Sequence, residues 1–228
     1  EAGGGNEVNY SLYLPQGTYR HHPVANAVTE PACGTTTCDC LDNYAVRYVD
    51  GDTLDSFTYG IYHGALDVGI DGSDKNMHIP LRMTNSAVAL VLSPAVDSVE
   101  TYIVNTAAGF SFADSTYDFS TPTVVRTSRL LTDSLVASYG VCFPSRGEED
   151  AVQRAASDEE YWQMHVYVTR GGKTTRNVLS IREPLAAGEP KILKARISEN
   201  GEIIYEGTEV SVTVSLDWKP GGDHDIEI

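Results

Sequence analysis

Three cysteines crowd one short stretch of this chain. Cys33, Cys38 and Cys40 form a C-x4-C-x-C pattern, and the fourth cysteine, Cys142, lies far downstream. Thiolates bind zinc, and four of them, or a mixture with imidazoles such as His21 and His22 just upstream, would complete a tetrahedral shell. The spacing lacks the two-residue gap of a zinc knuckle. The other available chemistry is oxidation, because an even cysteine number permits disulfides that staple a long loop in an oxidising compartment. Cys38 and Cys40 are poorly placed for each other, since one intervening residue strains a bridge. The disulfide reading therefore pairs Cys33 with Cys38 or Cys40 and leaves Cys142 for the remaining thiol.

Other chemistry has weaker foundations. The acidic clusters DGDTLD at 50–55 and DVGIDGSD at 67–74 offer oxygens to calcium, but neither has the Asp-x-Asp-x-Asp-Gly order with a distal Glu. They read as solvated turns. The chain has no G-x-S-x-G elbow, no H-E-x-x-H and no phosphate-binding glycine loop after a strand. No enzyme activity and no cofactor is expected. Acidic residues number 32 against 16 basic ones, a net charge of −16, which repels phosphate backbones and argues against nucleic acid as a partner. Residues 1–120 hold 15 acidic and 4 basic side chains, and residues 121–228 hold 17 and 12.

The elements that would position these residues read as strands. Val210, Val212, Val214, Leu216 and Trp218 alternate with polar residues near the C-terminus, the period-2 pattern of a strand with one buried face. This is the candidate closing or donor strand. Val8, Tyr10, Leu12 and Leu14 alternate likewise and predict a first strand. A long polar loop over 15–43 carries the cysteines. Further strands are expected around Tyr44–Tyr48, Phe57–Ile61, Met77–Met83, Val88–Leu92, Val99–Val104, Phe110–Phe119, Val124–Val125, Leu135–Phe143, Trp162–Val168, Ile192–Ile197 and Ile203–Tyr205. Arg170-Gly171-Gly172-Lys173 predicts a hairpin turn. Residues 147–160, polar nearly all round, are the one place for a short surface helix. Trp162 and Trp218 fall in phase with apolar positions and read as core rather than as sugar platforms. The whole reads as all-β, two β-sandwiches in tandem divided at Ser120-Thr121-Pro122, giving domains 1–120 and 121–228. A single large barrel is the structural alternative. No apolar run is long enough for a transmembrane helix.

Three segments carry a family likeness. MHIPLRMTNSAVALVLSPAVDSVETYIVNTAAGF (77–110), REPLAAGEPKILKARISENGEI (182–203) and SVTVSLDWKPGG (211–222) resemble the fimbrillin-like proteins of Bacteroidetes. The resemblance implies two transthyretin-like Greek-key sandwich domains and a role in cell-surface fimbriae as stalk, tip or anchor subunit. Its partners would be other fimbrial subunits or host surface ligands, with assembly through β-strand interactions. It implies export as a lipoprotein of the outer membrane, with the lipid on a residue preceding Glu1 and a Gly-rich tether after it. In an exported protein the cysteines are expected as disulfides rather than as metal ligands. Arg20 stands where stalk subunits are processed by an Arg-specific protease and is the candidate processing site. The alternative is a solitary surface lipoprotein that binds glycan or a host protein.

Overall fold

A computed structural model describes residues 9–27, 33–36, 45–48, 53–96, 98–132, 134–147, 160–205 and 212–218, with 33–36 and 212–218 described by their backbone alone. Among these residues are twenty strands and no helix. In the first part of the chain they are β1 (Gly17–His21), β2 (Val24–Ala25), β3 (Cys33–Thr36), β4 (Ala45–Tyr48), β5 (Leu54–Asp55), β6 (Tyr62–His63), β7 (Leu66–Ile70) and β8 (Arg82–Met83). Longer strands follow: β9 (Ser86–Ser93), β10 (Ser98–Val104), β11 (Gly109–Ser111), β12 (Thr116–Asp118), β13 (Val124–Arg126), β14 (Ser128–Leu131) and β15 (Val136–Cys142). The last are β16 (Trp162–Arg170), β17 (Lys173–Ile181), β18 (Pro190–Ile197), β19 (Ile203–Tyr205) and β20 (Val212–Trp218).

Two sheets dominate, a six-stranded one ordered β20-β17-β16-β10-β13-β5 and a five-stranded one ordered β14-β15-β9-β18-β19. Their facing sides share one core. Trp162, Met164, Val166, Ile103, Leu179 and Ile181 come from the first sheet, and Val88, Leu90, Leu92, Val136 and Leu193 from the second, all essentially inaccessible. Burying each such side chain stabilises the fold by roughly 1.5–3 kcal/mol before entropy is set against it. The strict alternation along β9 and β15 follows from this: every second residue meets the core. Gly171 and Gly172 make the β16–β17 turn at φ 56° and 77°, the left-handed pair that a tight hairpin demands. Small sheets of two (β1-β7), three (β2-β6-β8) and four strands (β12-β11-β4-β3) complete the molecule. It is all-β and built on a β-sandwich.

The structure departs from the sequence reading in several places. The expected first strand is absent over residues 9–14: no strand pairs with it, and Tyr10, Leu12 and Tyr13 are exposed. The polar stretch 15–43, expected as loop, contains β1, β2 and β3. Residues 57–61 are irregular rather than extended, although Phe57 and Ile61 are buried as their alternation implied. Only Arg82 and Met83 of the expected 77–83 strand are paired. Hydrogen-bonded pairings cross residue 120 throughout, with β10 between β13 and β16 and β9 between β15 and β18. Alternation shows which face of a strand is buried but not which strand lies beside it, so these pairings were hidden. Residues 148–159 of the expected surface helix lie outside the described residues.

Candidate assembly interface

The terminal strand β20 is the outermost member of the six-stranded sheet, held along one side by β17. Their register sets Val212, Val214, Leu216 and Trp218 opposite Ile181, Leu179, Asn177 and Thr175, which are the buried residues of β17. Val210 lies outside the described residues. Beneath this edge, two polar side chains of β17 tie the sheet to the β18–β19 turn. Asn177 donates to the Gly201 carbonyl at 3.1 Å and accepts from the Ile203 amide at 2.8 Å, and Thr175 donates to the Asn200 carbonyl at 3.1 Å. Gly201 takes φ 82° there, and a Cβ would stand 2.9 Å from the Thr175 hydroxyl, so glycine is required by both conformation and space.

In the middle of the same sheet β13 covers only part of its neighbour. β16 pairs with β10 from Ser98 to Val104, but β13, only three residues long, pairs with it over Tyr102–Val104. The Thr127 amide donates to the Thr101 carbonyl, and the Asn105 amide to the Thr123 carbonyl. The odd-numbered residues of β10 therefore direct their backbone groups toward β13, and Val99 directs its own beyond the end of β13. Here lies a cleft of about 450 Å³, lined by Ser98–Tyr102, Arg126, Thr127, Arg129 and Ser138. Val99 is only 3% exposed as a whole residue, so its backbone groups are enclosed rather than offered to an added strand. The sequence offered one faint signal of the cleft: the apolar run at 124–125 is too short to cover a seven-residue neighbour.

The remaining sequence candidates are scattered. Arg20 lies in β1, not in a loop, with its guanidinium 3.6 Å from the Asp67 carboxylate on β7 and both side chains well exposed. Cys33 sits in β3 opposite Tyr48, while Cys38 and Cys40 lie outside the described residues. Cys142 is a free thiol, fully buried at the end of β15, and burial pushes it up to about 12 against a hydrogen bond from Thr106. His21 meets the Tyr10 hydroxyl, and His22 Nδ1 lies 3.0 Å from His63 Nε2 with the rings stacked. Burial lowers both His22 and His63, with neighbouring positive or imidazole groups adding to it. Among the described residues no three His, Cys, Asp or Glu side chains converge as metal ligands. In the acidic turn, Asp71 receives Lys75 Nζ at 2.7 Å and the Ser73 hydroxyl and amide, which hold its carboxyl well below the usual range. It organises its own turn.

No protein-family model matches the sequence, and no curated protein matches it either. Solved structures do match in shape. A candidate adhesin from Bacteroides ovatus ATCC 8483 superposes with a TM-score of 0.56 at 11% identity, covering 86% of this chain and 78% of that one. Another from Bacteroides thetaiotaomicron VPI-5482 gives 0.53 at 15%, covering 92% and 78%. The fimbrial anchor protein Mfa2 from Porphyromonas gingivalis gives 0.50 at 13%, covering 88% and 76%. At these identities the likeness is one of fold, shared with candidate adhesins and a fimbrial anchor protein.

Proposed function

We propose that this protein is a structural or adhesive component of cell-surface fimbriae that assembles through β-strand interactions. The observation that carries the reading is the six-stranded sheet that ends on the chain's own terminal strand, β20, paired with β17 along one side. Backbone groups at such an edge supply affinity, and alternate side-chain positions supply register. The unpaired apolar segment 9–14 and β20 are the two pieces of chain with the alternation of a donor. The likeness in fold to an anchor protein and to candidate adhesins supports the same role. The reading places the protein at the cell surface, held at the outer membrane by an N-terminal lipid or built into the filament. Arg20 remains its candidate processing site, and cleavage there would cut through β1. No reaction is assigned to the chain.

Shearing surface appendages from native cells and probing filament and membrane fractions tests this. Recovery with the filaments makes the protein a stalk or tip subunit, and retention with altered filament length on deletion makes it an anchor. Retention with unchanged filaments overturns the fimbrial role and favours the solitary binding lipoprotein.

A further inference from the structure

A guanidinium sits where the pattern of the sandwich calls for a core residue. β14 is the outermost strand of the five-stranded sheet, and its register sets Arg129 opposite Ser138 of β15. Cross-strand partners share a face, and Ser138, 1% exposed, faces the other sheet. Arg129 therefore holds a position between the sheets, yet it is exposed. The cause is the early end of β13. The chain leaves that strand at Arg126 and crosses to β14, so among the described residues no strand of the six-stranded sheet closes over Arg129. The gap is the cleft of about 450 Å³.

Its floor is polar. Thr101 alternates with the core residues Val99 and Ile103 along β10, and it donates to the Ser138 hydroxyl at 3.1 Å. A hydroxyl carries one proton and two acceptor sites. Thr101 spends its proton on Ser138, and among the described residues nothing accepts the proton of Ser138. A buried polar group without its partner is costly, so this one calls for an acceptor in the cleft. Arg126 and Arg129 stand at the mouth, neither with a carboxylate in ion-pair distance among the described residues. The Tyr102 hydroxyl donates to Glu100 at 3.3 Å and accepts from Arg126, which holds those two side chains on one wall.

This lining specifies a ligand. Two guanidiniums against one carboxylate leave a single positive charge, in a chain whose net charge is −16. That balance suits a monoanion better than a polyanion. The flat guanidinium fork matches a carboxylate through paired N–H···O bonds. Glu100 only accepts and Ser138 has a proton to give, so the rest of the ligand must both donate and accept, as hydroxyls do. The volume is at the small end of the roughly 300–1,000 Å³ of small-molecule sites. We infer that the cleft between the sheets binds an acidic sugar residue, with its carboxylate on Arg126 and Arg129 and its hydroxyls on Glu100 and Ser138. The site lies away from β20 and does not depend on a role in fimbriae.

Titrating the whole ¹⁵N-labelled chain with glucuronate, glucose, acetate and inorganic sulfate tests it. Glucuronate should saturate with a Kd of about 1 mM, ordinary for a ligand of monosaccharide size, and shift the amides of Thr101, Thr127 and Ser138. The other three should bind at least about tenfold more weakly. Arg126→Gln and Arg129→Gln should each weaken glucuronate at least about tenfold, and Arg129→Gln should leave the thermal unfolding midpoint unchanged. No saturation by glucuronate overturns the proposal, as do shifts confined to other parts of the chain. Glucose binding as tightly would remove the carboxylate from recognition, and acetate or sulfate binding as tightly would remove the sugar; either result overturns it too. So does glucuronate affinity that Arg129→Gln leaves intact.

Discussion

Two buried asparagines do the work of missing strands. Asn85, fully buried, accepts from the Ile61 amide at 3.0 Å and donates to the Tyr59 carbonyl at 2.9 Å. It thereby satisfies an irregular segment whose apolar side chains are already in the core. Asn177 does the same for Gly201 and Ile203. Removing a side chain of this kind strands a buried backbone donor without a partner. Asn177→Ala should accordingly cost about 1–3 kcal/mol, read as a lowered urea midpoint with an unchanged slope; an effect within about 0.5 kcal/mol, as at an ordinary surface site, would show that the turn finds other partners. Histidines set a second, pH-dependent term. His165, 3% exposed, has Nε2 2.9 Å from Gln163 Oε1 while its Nδ1 is buried with no partner. Burial, with the Arg176 charge adding to it, lowers its pKa to about 4 from 6.5. The folded state therefore binds this proton less readily than the unfolded chain. Its contribution to stability is fully present above pH 6.5 and is lost as the pH falls toward about 4, by up to about 3 kcal/mol at ~1.4 kcal/mol per unit. His22 and His63, also lowered, act in the same direction. Urea titrations at neutral pH and near pH 4.5 should show the loss, and His165→Gln should shrink it; equal pH dependence in both proteins would remove His165 from the account.

At the scale of elements, β20 is the strand whose removal is most informative. It pairs along the outer edge of β17 from Thr175 to Ile181. A chain lacking 209–228 should expose that edge and either oligomerise or bind a synthetic peptide spanning the lost strand, measurable by fluorescence anisotropy. A truncated chain that stays monomeric, ignores the peptide and keeps its stability would exclude strand exchange through this end. This strand was legible in the sequence from its period-2 alternation; β9, β15 and much of β18 alternate because every second residue meets the core, whereas β10 and β16 are buried on both sides over much of their length. The Gly171-Gly172 hairpin was legible because its turn needs two positive φ values. Residues 57–61 misled for a physical reason: Phe57 and Ile61 do point inward, but their backbone is held by Asn85 rather than by a neighbouring strand. Residues 9–14 misled in the opposite way, with the alternation of a strand and no partner to pair with. The cleft beside β10 was almost invisible, since it depends on where β13 stops and not on any side chain that advertises itself.

For the whole molecule, the arrangement of the sheets makes a demanding prediction about autonomy. Composition and the turn at 120–122 suggest two units that fold separately. The pairings suggest interdependence, because β9 and β10 are interior strands of the two large sheets although both precede residue 120. A fragment of residues 121–228 would lack them. β16 would lose its neighbour over all seven residues of β10, and β15 and β18 would lose the strand that joins them. The core would lose Val88, Leu90, Leu92, Val99 and Ile103, each buried, at roughly 1.5–3 kcal/mol apiece. That total rivals the 5–15 kcal/mol stability of a typical domain. The fragment would also hold open edges on both sheets, a condition that promotes association between chains. Expressed alone, 121–228 should therefore give a collapsed amide spectrum by NMR and no cooperative unfolding transition, and 1–120 should fare no better, since its β9 and β10 would have lost β15, β16 and β18. Mixing the two should restore dispersion if the pairings are as described. A dispersed spectrum and a sharp transition from 121–228 alone would show that the second half closes its own sheets without strands from the first, and the interleaved sandwich would be wrong.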